Sequence, residues 1–480
     1  MNFETPDLLP AVPEMFVLGM ACVVLVVDLF LRDEQREVSY RLTQATLLGA
    51  LALSLLVHTA EPQVTFNGTF VSDPMSTVLK VFIYLFTLAL FVYSRHYLKD
   101  RDLFRGEYFV LGLFGVLGMM VMTSAYSFVT VFLGLELMSL SLYAMVALHR
   151  DSPRASEAAM KYFVLGAIAT GMLLYGMSIL YGLSGSLNIG EVSGYILREG
   201  DAGNVALAFA LVFVVVGLAF KLGAVPFHMW LPDVYQGAPS SVTVYIGTAP
   251  KLAAFAVMLR LLAEGLGALH AEWQGMLVVL AVLSLAVGNL IAIAQHNIKR
   301  MLAYSTIAHV GFILLGLLAG TEEGYSAAMF YTVTYVLMAL GAFGMVILLS
   351  REGAEAEALE DFRGLADRNV WLALLMALIM FSMAGVPPTV GFYAKLAVLQ
   401  SVLQVEMLWL AVFAVVMSVI GAFYYLRVIK LMFMDAAPGA LLLRAGAGPN
   451  AVMSINGLLV VILGLFPGGL MSLCASAINL

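Results

Sequence analysis

The sequence predicts an all-α integral membrane protein of about 14 transmembrane helices, and three observations carry that reading. Apolar residues fill 62% of the 480 positions and charged residues only 11%, against about 25% charged in a soluble domain. Such a chain lacks the polar surface to cover itself in water. Apolar runs long enough to cross a bilayer, about 20 residues each, recur from one end to the other. The loops between them are too short to hold a water-soluble catalytic domain.

The runs lie near 11–31, 42–58, 75–94, 107–124, 127–148, 158–183, 204–234, 240–263, 273–295, 301–319, 325–350, 371–404, 407–433 and 451–474. The seventh and twelfth are long and hold internal proline. Of the 24 lysines and arginines, fifteen fall in loops after odd-numbered spans and only Arg198 in a loop after an even-numbered one. Cytoplasmic loops carry the basic excess, so the odd loops are expected inside and both termini outside. The acidic start Met1-Asn2-Phe3-Glu4 is unlike a cleaved signal peptide, and the first helix is expected to persist. A net charge of −7 without any basic run gives no nucleic-acid footprint. Cys22 and Cys474 lie far apart in apolar stretches and are expected as free, buried thiols. Neither metal-ligand spacing nor a phosphate loop occurs. Gly112, Gly115 and Gly118 read as helix-packing positions.

Eight basic residues fall inside spans: Lys80, Lys161, Lys221, Lys251, Arg260, Lys395, Arg427 and Lys430. An ionised lysine at a helix centre costs about 2.5–3.5 kcal/mol on insertion scales, so each needs a reason. Arg260 and Lys430 lie near span ends, where long side chains reach the headgroups. Lys161 has Glu157 at i−4, an ordinary ion-pair spacing. Lys80 and Arg427 read either way. Lys221, Lys251 and Lys395 sit well inside apolar runs, as does the acid Glu136. One acid cannot neutralise three lysines. At least two must rest on water, histidine or backbone carbonyls, or spend time deprotonated. A lysine held between desolvation and a nearby carboxylate can load and unload a proton near neutral pH. His228 and His309 can pass protons between their two ring nitrogens. These six residues are the predicted proton relay, and the bland alternative is a fixed ion pair that pins helix packing.

Proline breaks accompany the lysines. Pro226 and Pro232 interrupt span seven, and Pro387-Pro388 interrupt span twelve. Irregular backbone at membrane depth survives only where protein buries it or a hydrated cavity meets it. Pro250 directly precedes Lys251 and should free the Ile246 carbonyl for water or the lysine. Spans seven and twelve are five apart, and an odd offset reverses the crossing direction. Spans 4–8 and 9–13 are therefore predicted as two inverted five-helix repeats, each with a broken helix in its fourth place, an arrangement that puts ion sites at the breaks. His309 occupies in the second the place of Glu136 in the first. The predicted units are 1–106, 107–264, 273–434 and 451–480.

The run Lys221-Leu222-Gly223-Ala224-Val225-Pro226-Phe227-His228-Met229-Trp230-Leu231-Pro232-Asp233, continuing to Pro239, resembles the signature of the antiporter-like membrane subunits of respiratory complex I. Leu133–Leu140, Asn297-Ile298-Lys299-Arg300 with Tyr304-Ser305, and Ala384–Lys395 extend the resemblance over nearly the whole chain. The chain stops soon after span fourteen, without the long lateral helix of one class, and Lys395 stands where another class carries glutamate. The resemblance implies a proton-translocating subunit without redox chemistry or cofactor of its own. NADH oxidation, FMN, iron–sulfur clusters and quinone reduction would belong to partner subunits. Its partners would be the other membrane subunits, including neighbouring antiporter-like ones, within the bilayer of a bacterial inner membrane. It further implies that Glu136 and Lys221 form an ion pair coupled to proton loading. Lys251 would be the connecting lysine and Lys395 the lysine of the second half, with His228 and His309 at family positions. Pro250 is less typical. Rival readings are a subunit of a multisubunit sodium/proton antiporter, a pump subunit of a membrane-bound hydrogenase, and a structural spacer.

Overall fold

The computed structural model describes residues 6–199, 204–350, 354–436 and 446–478. Arg351, Arg444 and the acidic start Met1-Asn2-Phe3-Glu4, all used in the sequence reading, lie outside them. Among the described residues, thirteen helices are long and apolar enough to cross a membrane. Span twelve supplies the fourteenth crossing in two pieces, Val370–Ala384 and Val390–Gln404. The helices of spans two and three outrun their apolar cores, as Glu37–Val57 and Pro74–Lys99. Their extra turns are held by charges at the membrane edge, where Arg95 and Lys99 both pair with Glu37.

Two elements were not predicted. A small antiparallel hairpin pairs Gln63–Thr65 with Phe70–Ser72 after span two. An amphipathic helix, Ile189–Glu199, follows span six and buries Ile189, Val192 and Ile196. Both are too short for a test based on twenty-residue apolar runs.

Polar caps mark where crossings begin. Asp73, Ser127, Ser152, Asn204, Asn297, Thr321 and Asn369 each accept a backbone N–H from the first turn of spans three, five, six, seven, ten, eleven and twelve. These donors have no helical partner of their own. Spans eight and ten are buried along their length and span eleven nearly so, whereas spans two and fourteen lie at the periphery. The glycine stripe of span four packs as expected. A Cβ on Gly118 would stand 2.5 Å from the Met138 nitrogen of span five, and one on Gly115 would stand 2.7 Å from the Tyr245 hydroxyl. Both cysteines are free, but Cys22 is exposed and only Cys474 is buried. Span one is peripheral and turns Val17, Ala21 and Val24 inward, which leaves Cys22 outside.

The two helix breaks share one backbone design. Span seven runs as Val205–Leu222 and Trp230–Gly237. Gly223 ends its first half at φ +84°, and Gly385 ends that of span twelve at φ +88°, a region open to glycine at little cost. The Gly223 N–H reaches Ala219 and Phe220, and the Ala224 N–H returns to Ala219. Gly385 does the same with Phe381 and Ser382, and Val386 with Phe381. Span eight is broken too, into Ser240–Gly247 and Ala249–Met258, and ends in a π-turn at Leu259–Gly265.

Candidate functional site

Each break leaves helix-terminal carbonyls that no further turn can satisfy. In both halves a buried lysine takes them. The Lys251 ammonium donates to the Leu222 carbonyl at 2.7 Å. The Lys395 ammonium donates to Met383 at 3.1 Å, Ala384 at 2.8 Å and the Ser418 hydroxyl at 2.9 Å. Aromatic faces complete both cages: Trp230 lies 5.6 Å from the Lys251 ammonium and Phe312 lies 5.1 Å from that of Lys395. Of the two partners expected for the Ile246 carbonyl, water or the lysine, the lysine goes elsewhere. Lys251 turns across to span seven, whose first half ends at Leu222.

Lys221, one residue before that carbonyl, donates to the Ser139 hydroxyl of span five at 3.0 Å. Glu136 is on the same helix, half-buried and within electrostatic reach of Lys221. No contact within 4 Å closes between them among the described residues, so the expected ion pair stands open with Ser139 in the acid's place.

Span ten carries the next links. His309 is 3% exposed. Its Nδ1 lies 2.7 Å from the Tyr331 hydroxyl and its Nε2 3.1 Å from that of Tyr425, and Tyr425 shares a hydrogen bond with Ser305. The Tyr335 ring lies 5.1 Å from the imidazole, and its hydroxyl donates to Thr306 at 2.8 Å. It also reaches the Gly247 carbonyl at the span-eight break, at 3.5 Å. Tyr331 stacks on Phe312, whose ring meets the Lys395 ammonium. Hydroxyls and imidazole thus follow one another from the span-eight break to the edge of the span-twelve cage, a train in which ring packing joins Tyr335 to His309. Three tyrosines of this train were missed from sequence, since an apolar-rich helix gives tyrosine no distinguishing pattern. His228 stands apart, half-buried in the break of span seven with its ring 6.5 Å from Tyr304.

Apart from Arg427, which also rests on backbone carbonyls, the remaining in-span cations contrast with these three lysines in meeting a carboxylate. Lys80 pairs with Glu14 of span one at 2.5 Å. Arg260 is 3% exposed and lies between Asp73 and Glu264, each at 2.6 Å. The expectation that it reaches headgroups is therefore corrected: two carboxylates neutralise it inside the protein. Lys161 pairs with Glu157 as expected and also with Asp233 at 2.8 Å. Arg427 donates to the Ile293 and Gln295 carbonyls, and Lys430 approaches Asp435 at 3.7 Å. Lys299, counted among loop residues from sequence, is 1% exposed and pairs with Glu357. Lys221, Lys251 and Lys395 close no salt bridge among the described residues. No group of three His, Cys, Asp or Glu side chains there is placed to hold a metal ion.

Residues 125–421 match the family described as NADH:quinone oxidoreductase/Mrp antiporter, TM. The chain is 66% identical over 479 residues, covering all of both chains, to the NADH-quinone oxidoreductase subunit N of Thioalkalivibrio sulfidiphilus. It superposes on a chain of respiratory complex I from Thermus thermophilus with a TM-score of 0.82 and 32% identity, covering 97% of this chain and 100% of that one. A chain of the membrane-bound sulfane sulfur reductase, an archaeal respiratory membrane complex, gives a TM-score of 0.86 at 25% identity over 98% and 96%.

Proposed function

The chain belongs to the NADH:quinone oxidoreductase/Mrp antiporter transmembrane family, alongside the subunit N relatives of NADH-quinone oxidoreductase, and from that premise we infer how it works. It is a proton-translocating membrane subunit of a bacterial respiratory complex I. Electron transfer from NADH to quinone is carried by other subunits, which hold the FMN, iron–sulfur clusters and quinone site. This chain contributes the path for protons and docks against other membrane subunits. In this reading the odd loops face the cytoplasm and both termini face outward. The chain divides into a three-span unit (1–106), two five-span repeats (107–264 and 273–434) and a last span (451–480).

One observation carries the relay: Lys251 and Lys395 are buried and Lys221 half-buried on uncharged oxygen atoms, while the buried Lys80, Arg260 and Lys299 are matched by carboxylates. An ammonium without a counter-charge is held weakly and can give up its proton. A structural spacer would pair every buried cation, so that rival is disfavoured. In the proposed cycle, a charge change in the neighbouring subunit closes or opens the Glu136–Lys221 contact. Opposite charges about 4 Å apart attract by roughly 4 kcal/mol at an effective dielectric of about 20, enough to load Lys221. The proton then passes to Lys251, along Tyr335, Thr306 and His309 to Lys395, and so to the outer face. His228 would serve the loading end, from its place in the span-seven break.

Lys221→Ala in the assembled complex should suppress proton pumping measured in vesicles, with NADH–quinone activity reduced or partly uncoupled. Unchanged protons per electron would remove Lys221 from the mechanism. The sodium/proton antiporter reading would gain instead if sodium drove proton movement without NADH.

A further inference from the structure

A cavity of about 590 Å³ opens on the face of the odd loops. Arg101, Arg154, Gln236, Ala238, Glu355 and Glu357 are among its walls. The two glutamates come from the loop after span eleven, which crosses both repeats. Glu355 accepts from Arg101 at 2.8 Å, from Ser240 at 2.7 Å and from the Tyr97 hydroxyl. Burial alone would raise its carboxyl, but Lys299 and Arg101 outweigh burial and hold it below the usual range, so it stays a fixed anion. Glu357 accepts from Arg154 at 2.9 Å, Asn297 at 3.2 Å and Lys299 at 3.4 Å.

Lys299 points inward from this wall. Its ammonium also donates at 2.7 Å to the Ala238 carbonyl, at the end of the second half of span seven. Tyr235, three residues back, is fully buried, and its hydroxyl has no hydrogen-bond partner among the described residues. A buried hydroxyl without a protein partner calls for a bridging water. That hydroxyl lies beside Gly247, where the Tyr335 hydroxyl also arrives, and beside Thr306. Lys299 and Thr306 are two turns apart on span ten, about 10.5 Å along the axis, and Tyr235, one turn before the Ala238 carbonyl that Lys299 holds, approaches the Thr306 end.

We propose that Glu357 and Lys299 form the proton-uptake port of this chain, and that Tyr235 relays protons from it to the Thr306–Tyr335–His309 train. The proposal rests on the reading that this train carries protons. Lys299 releases a proton inward to water at the Tyr235 hydroxyl, which passes one of its own toward Thr306. Glu357 takes a proton from cavity water and returns it to Lys299, restoring the pair. Glu355 is a positioning residue that fixes the loop across the repeats.

The test uses the complete complex in lipid vesicles, with protons per electron and the solvent deuterium effect on pumping read together. Glu357→Gln and Tyr235→Phe should each slow uptake through this chain on the order of 10²-fold. The ratio should then fall to that of Lys221→Ala, while Glu357→Asp retains pumping. Tyr235→Phe removes one unpartnered oxygen and leaves the loop untouched, so it decides the matter if Glu357→Gln fails to assemble. Loss of assembled complex alone, with an unchanged ratio per electron, would mark a structural role and overturn the port. Wild-type ratios for both variants beside a deficient Lys221→Ala would overturn the port and leave the proposed function standing. Wild-type ratios for all three would overturn both.

Discussion

The breaks in spans seven and twelve have the same glycine, the same return hydrogen bonds and the same lysine-on-carbonyl seal, yet they obtain the lysine differently. Lys251 reaches span seven from the next helix, whereas Lys395 folds back onto the first half of its own span. The first half also holds Glu136 near Lys221, and the second holds His309 among tyrosines. The repeat therefore fixes a backbone defect, and each half fits its own chemistry around it. What the defect supplies is unsatisfied carbonyl oxygen at membrane depth, which can hold an ammonium without neutralising it.

The largest effects should come from removing the seals. Lys251→Ala and Lys395→Ala should each slow proton transfer on the order of 10²-fold or more, measured by pumping in vesicles. Lys395→Ala strips the donor from three oxygens against one for Lys251→Ala, so it should also destabilise the complex more on heating. Full pumping by Lys395→Ala would break the equivalence of the two halves.

Gly223→Ala and Gly385→Ala sharpen the comparison. Both put an L residue in the left-handed region, at about 1–2 kcal/mol, and should lower thermal stability similarly. Their Cβ atoms meet different neighbours. At Gly385 the new atom would stand 2.9 Å from the Lys395 side chain, but at Gly223 it meets Leu231 and stays 3.9 Å from the Lys251 ammonium. Pumping should fall much further in Gly385→Ala. Equal losses would mean that the lysine's placement is not what the glycine protects.

Tyr425→Phe should act more mildly. It removes the hydroxyl from the His309 Nε2 side, worth about 0.5–1.5 kcal/mol, and should slow pumping between twofold and tenfold while leaving Lys221-dependent loading intact. Pumping at the wild-type rate would take Tyr425 out of the train.

The smallest effect concerns a cation that is fully paired. Burial pushes the Asp73 carboxyl up, but Arg260 outweighs it and holds the group below its ordinary value of 3.8. A depressed folded value means the stabilisation is complete above the unfolded value, near pH 4, and is lost as pH falls through the folded one. Asp73→Asn should therefore lose stability at neutral pH and show less further loss on acidification, read by thermal unfolding across pH 3–7. An unchanged acid profile would show that the pair contributes nothing.

By itself the sequence determined the membrane class, the fourteen crossings, the positions of both major breaks and which lysines lie well inside apolar runs. Composition, apolar run length and proline are local properties, and a lysine inside such a run is visible without knowing its neighbours. Tertiary structure alone decided which cations are neutralised. Arg260 finds Asp73 across 187 positions, and Lys299 is buried although its surroundings read as a loop. Ser139 rather than Glu136 takes the Lys221 ammonium, and Tyr235 keeps an unpartnered hydroxyl at the interface of the repeats. Successive residues of a helix point about 100° apart, so small differences in helix rotation and in the angle of a break decide which side chains meet, and hydropathy along the chain does not record them.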